Sequence, residues 1–208
     1  MRRARCRARQ CPEMPHPPSR HHRPLSSNSP RLACAGGFTL IELLVTIALA
    51  GILMTVAAPS MTKMIGANRV QTEVSGFVND LQFARSEAIK EGQPVSVCAS
   101  SDGSTCLAAN TWQKGWIVFP DPNGNGAIDT GEAALRSRPA LRGNDTFVAT
   151  PARTAVVFNR EGFPSNLGTS LVTFTLHTAD NVAKSTRCVA VGIGGRVTTQ
   201  AAGEGSCT

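Results

Sequence analysis

From Phe38 to Ala58 the chain reads FTLIELLVTIALAGILMTVAA, with Glu42 as its only charged side chain. A run this long and apolar is expected to cross a hydrocarbon core about 30 Å thick as a single helix. A transmembrane segment over 38–58 would limit the rest of the chain to what can be built on such an anchor. The flanking charge sets the expected direction. Residues 1–37 carry eight arginines against the single acid Glu13, which accounts for the whole formal charge of +7, while the remainder has thirteen basic and thirteen acidic side chains. Positive residues stay inside, so the N-terminus is expected in the cytoplasm and the bulk of the chain beyond the membrane. Confining the basicity to the first 37 residues also removes the main support for bulk attraction to polyanions. An ordinary secretory signal peptide is the alternative. It needs a small-residue cleavage site within Thr55–Ser60, and the apolar run is long for a signal core.

Glu42 narrows the reading further. A carboxylate at the centre of a membrane helix costs about 2.5 to 3.5 kcal/mol, and less near its end, so Glu42 either reaches back to the interface or has a partner. Residues 2–9 contain five arginines, and residues 12–31 are rich in Pro, Ser, His and Arg without an apolar run. That segment has nothing to pack and reads as an unfolded leader. Beyond the apolar run, Pro59 and Gly66 would loosen a helix. Val70, Val74, Phe77, Val78, Leu81, Ala84 and Ala88 then recur at three- and four-residue spacing, opposite a polar face of Arg69, Glu73, Asp80, Arg85, Glu87 and Lys90. One helix over about Phe38–Glu91 is expected, amphipathic from 59 to 91.

After Gly92 the pattern changes to short β-branched or alternating runs: Val95–Ala99, Trp116–Phe119, Thr154–Phe158, Leu171–His177, Arg187–Val191 and Gly195–Thr199. A β-rich domain over 92–208 follows, so the fold class is α+β. Asn159–Gly162 reads as a turn.

The run Gly36-Gly37-Phe38-Thr39-Leu40-Ile41-Glu42-Leu43-Leu44-Val45 resembles the leader junction of type IV prepilins and type II secretion pseudopilins. The stretches GWIVFPDPNGNGAIDTGEAALR, VVFNREGFPS and RCVAVGIGGRVTTQ resemble the domain shared by pseudopilin H and the FimT- and FimU-like minor pilins, the GspH/FimT family. The resemblance implies a pilin-like fold, a long N-terminal helix packed on two β-sheets. It also implies removal of residues 1–37 by prepilin peptidase between Gly37 and Phe38, N-methylation of Phe38, and pairing of Glu42 with the amine of a neighbouring subunit during assembly. The implied role is structural: a minor pseudopilin or minor pilin, held in the bacterial inner membrane with its domain in the periplasm and joining other minor subunits in a filament. Type II secretion and pilus membership are not separable from these residues. A 37-residue leader departs from the usual short one, and Met14 competes with Met1 as the start.

On this reading Cys6, Cys11 and Cys34 leave with the leader, and Cys98, Cys106, Cys188 and Cys207 remain in an oxidising compartment. Four cysteines allow three pairings. Cys98 with Cys106 and Cys188 with Cys207 are favoured, the first closing a short loop and the second tying down the tail. A four-cysteine zinc site lacks the paired short spacings it would need. Asp121, Asn123, Asn125, Ala127, Asp129 and Glu132 follow the spacing of a calcium loop, with Gly126 at the sharp turn. Calcium would act there as a structural staple; otherwise the Asn-Gly steps serve only as turns. No other cofactor is expected.

An enzyme is not expected. His177 is the only histidine after the leader and lies in an apolar run, and no nucleophile elbow, HExxH or phosphate-cradling loop is present. The competing class is DNA binding, since some FimT-like pilins take up DNA through basic residues near a Gly-Arg motif. Here Arg196, with Arg187, would carry it, and no Lys or Arg follows to Thr208. Phosphate contacts scale with the cations available, so two arginines make a weak receptor.

Overall fold

The computed structural model describes residues 37–180 and 183–207, the side chains at 56, 58–60 and 63 excepted. The expected leader over 1–36, its cysteines Cys6, Cys11 and Cys34, and both candidate starts lie outside the described residues. The chain divides into a unit of residues 1–45 and a unit of residues 46–208. In the first, Gly37–Thr39 precedes the helix α1, which is Leu40–Glu91.

The expected membrane crossing is corrected by α1 itself. Among the described residues no helix is long and apolar enough to cross a membrane. Glu42 sits in its first turn, a charge that hydrocarbon does not hold cheaply. The transmembrane part of the expected fold class, and the single-pass placement in the inner membrane with cytoplasmic N-terminus and periplasmic domain, fall with it.

In the second unit, eight strands follow among the described residues: β1 (Val95–Ala99), β2 (Trp116–Pro120), β3 (Arg136–Arg138), β4 (Thr146–Thr150), β5 (Ala155–Phe158), β6 (Val172–His177), β7 (Arg187–Val191) and β8 (Val197–Ala201). They form two antiparallel four-stranded sheets, ordered β3-β2-β1-β5 and β4-β6-β7-β8.

The reason both sheets gather on α1 is its apolar stripe. Val70, Val74, Phe77, Leu81, Ala84 and Ala88 are fully buried, and they share one core with Val95, Val97, Trp116, Val118, Val156 and Phe158 of the first sheet and Phe147, Phe174, Leu176, Val189 and Val191 of the second. Phe77 is the centre. Its ring lies 5.4 Å from Trp112, 5.1 Å from Trp116, 5.0 Å from Phe147 and 4.8 Å from Phe174, mostly edge to face. Such pairs add about 0.5 to 1.5 kcal/mol each beyond the burial of area. The alternate residues of the first sheet, Cys98, Ile117, Phe119 and Ala155, form a second cluster on its outer face, covered by Cys106 and Ile128 from the loops.

Candidate functional site

Helix α1 starts where it does because Thr39 caps it. Its Oγ1 accepts the Glu42 backbone N–H at 3.2 Å, the Thr-x-x-Glu arrangement of a capping box. Glu42 therefore lies in the first turn, where the exposed amide ends of the helix favour a carboxylate. Ahead of the cap, Gly37 and Phe38 are outside the helix. Phe38 is 84% exposed, and among the described residues no atom lies within 4 Å of where a Gly37 side chain would project. The peptide bond between them is open to an enzyme, and its cleavage would free an amine one residue before the cap. Leu40, Ile41, Leu43, Leu44, Val45, Ile47, Leu49, Ile52, Leu53 and Met54 on α1 are exposed as well.

Three polar contacts hold the second unit's part of α1 to its sheets, and sequence reasoning placed all three residues on a solvated face. Asp80 is fully buried. Its carboxylate accepts the Trp116 indole N–H at 3.0 Å, Arg138 Nε at 2.8 Å and Arg136 Nη1 at 3.2 Å. Arg136 also lies 3.6 Å over the Phe83 ring. Arg69 donates Nε and Nη2 to the buried Asp145 at 3.1 and 2.8 Å, and Asp145 Oδ1 also accepts the Ala179 N–H. Arg85 Nη1 donates to the Gly195 carbonyl at 2.7 Å. Glu73, half-buried beside these arginines, has its carboxyl pushed above the usual range by burial, against the pull of Arg69, Arg138 and Arg142.

The four domain cysteines form two disulfides, Cys98–Cys106 and Cys188–Cys207. The first ties the 100–106 loop to the outer face of its sheet. Within that loop Asp102 accepts the Ser104 and Thr105 amides and the Thr105 hydroxyl, which hold its carboxyl well below the usual range. The second disulfide fastens the tail to β7, where Ser206 Oγ meets Thr173 Oγ1 at 2.7 Å.

The loop with calcium spacing closes on its own hydrogen bonds. Asp121 is buried and its carboxylate accepts Ser96 Oγ at 2.5 Å, the Gly126 N–H at 2.8 Å and the Asn125 N–H at 3.1 Å. Asn123 and Asn125 both aim amide donors at Asp129 Oδ2, at 2.8 and 2.9 Å, while Glu132 accepts the Asp129 N–H at 2.9 Å and Ala127 donates its N–H to Asn125. Asn123 and Asn125 thus turn amide donors rather than carbonyl oxygens toward Asp129. Among the described residues, no group of three or more His, Cys, Asp and Glu is placed to hold a metal. What the loop does hold is Ile128, packed on the outer cluster, and Gly126, at a positive φ of 75°, where an added Cβ would lie only 3.1 Å from the Ala155 methyl.

Arg187 and Arg196 are not brought together. Arg187 pairs with Ala201 at one end of the β7–β8 hairpin, and Arg196 follows the turn at the other, about 17 Å away along the strand. The Arg187 guanidinium is spent on the Lys184 and Thr186 carbonyls at 3.0 and 2.8 Å. His177 Nδ1 shares a hydrogen bond of 3.0 Å with Thr186 Oγ1, just ahead of β7.

With this geometry in place, comparison with known proteins becomes decisive. The profile of the family described as type II transport protein GspH matches residues 73–195, which takes in the buried stripe of α1 from Val74 onward and the strands up to the Gly195 turn. The chain belongs to the GspH family. The prokaryotic N-terminal methylation motif matches residues 33–58. The crystal structure of the type IV minor pilin FimU of Pseudomonas aeruginosa superposes with a TM-score of 0.51 at 21% identity, covering 66% of this chain and 92% of that one. A second crystal form of FimU gives 0.46 at 19% identity, covering 68% and 94%. The minor pseudopilin EpsH from the type 2 secretion system of Vibrio cholerae gives 0.47 at 14% identity, covering 65% and 99%. No curated protein sequence matches the chain. As a GspH-family chain with a pilin-like fold it is a structural subunit of type II transport.

Proposed function

We propose that the chain is a filament subunit matured between Gly37 and Phe38 by prepilin peptidase, N-methylated on Phe38, and registered against its neighbours through Glu42. The observation that carries this reading is the helix start. The Gly37–Phe38 bond lies in exposed, non-helical chain immediately before the Thr39 cap, and Glu42 waits in the first turn with no ion pair among the described residues. Cleavage creates a cationic amine, and a carboxylate at the same level of a neighbouring helix is its natural counter-charge. The exposed apolar side chains of α1 then supply the contact area between subunits.

The β-domain contributes a rigid head that meets other minor pilins or pseudopilins. DNA binding through Arg187 and Arg196 receives no support from their separation, so we do not assign it. The test is the intact mass and N-terminal residue of the protein from cells with and without prepilin peptidase, together with Glu42→Ala. We expect an N-methyl-phenylalanine start only with the peptidase, and a Glu42→Ala chain that is processed but fails to enter filaments. An unprocessed wild-type chain, or cleavage elsewhere, would sink the proposal.

A further inference from the structure

Each of the two sheets has two outer edges, and the molecule treats three of them alike. At β4 the Asn110 side chain imitates a neighbouring strand, accepting the Ala149 N–H at 2.9 Å and donating to the Ala149 carbonyl at 2.8 Å, while Gln113 Oε1 takes the Phe147 N–H. At β5, Asn166 accepts the Val157 N–H at 3.0 Å and donates to the Ala155 carbonyl at 2.9 Å, and the Ser165 N–H reaches the Val157 carbonyl. The β3 edge is only three residues long and carries the two arginines turned onto Asp80. These are the usual devices against unwanted strand addition.

The β8 edge is different. The Gly192 N–H donates to the Arg196 carbonyl, so pairing alternates from there. Ala190 with Thr198 and Cys188 with Gln200 exchange bonds across the hairpin, and the backbone groups of Val197, Thr199 and Ala201 point outward. Ala201 is closed off by the tail: its N–H goes to Glu204 Oε2 and its carbonyl takes the Glu204 N–H, both at 3.0 Å. Among the described residues, nothing takes the outward groups of Val197 and Thr199. Beside them lies an open groove of about 480 Å³ lined by Leu171, Ala190, Gly192, Arg196, Thr198 and Gln200. Arg196 is exposed and has no ion pair among the described residues.

We infer that the β8 edge is a docking strand for an extended segment of another protein that pairs antiparallel to it and carries a carboxylate near its C-terminal end. Two free donor–acceptor pairs call for extended backbone, the shallow groove takes small or β-branched side chains, and Arg196 selects the acid. Antiparallel pairing sets the incoming C-terminal end beside the start of β8, where Arg196 stands. This surface belongs to the β-domain and does not depend on how Phe38 and Glu42 are used.

The probe is the peptide acetyl-Thr-Val-Thr-Val-Thr-Glu-amide, titrated into the 15N-labelled full chain, with Lys in place of Glu as its control. We expect shifts and slowed amide exchange centred on Val197 and Thr199, and binding at least about tenfold weaker for the Lys peptide. Thr199→Pro removes an outward donor without touching the β7 ladder and should abolish binding while near-UV circular dichroism stays native. Arg196→Glu, which keeps the backbone intact, should reverse the preference between the two peptides. The inference is overturned if β8 amides do not respond, if Arg196→Glu leaves the preference unchanged, or if the chain dimerises through β8 without peptide, which would make a second copy the occupant.

Discussion

At the scale of single residues, Asp80 does more than its place in the sequence suggests. It sits on the helix at the spacing of a solvated face, yet it is buried because Trp116, Arg136 and Arg138, respectively 36, 56 and 58 residues away, converge on it. A helical pattern reports which side of a helix is apolar; it carries no information about cations that arrive from a distant strand. Removing the carboxylate leaves two arginines and an indole N–H without their acceptor, and breaking such a buried pair costs about 3 to 5 kcal/mol. We expect Asp80→Ala to lose about 3 kcal/mol in urea unfolding, with Asp80→Asn intermediate because it still offers the indole an oxygen. Unchanged stability in both would mean that the arginines simply return to water. Glu73 gives the opposite sign. Its folded pKa lies above the unfolded value near 4.5, because burial outweighs the nearby arginines. The folded state therefore holds the proton more tightly, and the stability Glu73 contributes is present below that value and lost as pH rises through the folded pKa. Glu73→Gln should thus melt above wild type at pH 7, by about 1 to 2 °C given its partial exposure, and level with it near pH 4. A difference that is the same at both pH values would discard this account.

At the scale of elements, what could be read from sequence was what carries its own apolar signal. The stripe from Val70 to Ala88 is the buried face of α1, and Val95–Ala99 and Arg187–Val191 are strands with those bounds. Two strands escaped. Arg136–Arg138 has no apolar residue and is exposed throughout; it is a strand only because β2 and Asp80 hold it. Thr146–Thr150 alternates properly, but it is short and lies among Gly, Asn, Asp and Pro, which mask the pattern. The candidate calcium loop was legible as a spacing, and its Asx residues also order the loop by accepting their own backbone amides. The disulfides act at this scale too. They close loops of 8 and 19 residues, for which chain entropy gives about 2.5 and about 3.2 kcal/mol. Replacing Cys188 and Cys207 together by Ala should lower the urea midpoint more than replacing Cys98 and Cys106. The reverse order would show that fastening the 100–106 loop to the outer cluster matters more than loop length.

At the scale of the whole molecule, the chain gives the β-domain a closed core and leaves the apolar side chains of the early α1 uncovered. Ile47 is 58% exposed, Ile52 64% and Leu53 70%, whereas Phe77 on the same helix is fully buried. Sequence alone assigned that early segment to a lipid bilayer, since an apolar run signals only that water is to be avoided and not what replaces it. Among the described residues no helix is long and apolar enough to cross a membrane, yet early α1 carries a row of exposed apolar side chains that a solitary chain would leave in water. Contact with like surfaces relieves it, and that is the physical basis of filament packing in the proposed function. Replacing Ile47, Ile52 and Leu53 together by Gln should therefore shift the purified chain from assemblies to monomers in sedimentation velocity. The melting temperature of the β-domain should stay within about 2 °C, because none of the three residues belongs to its core. If the variant sediments like wild type, association runs through another surface. A fall in melting temperature would instead mean that these side chains support the domain itself.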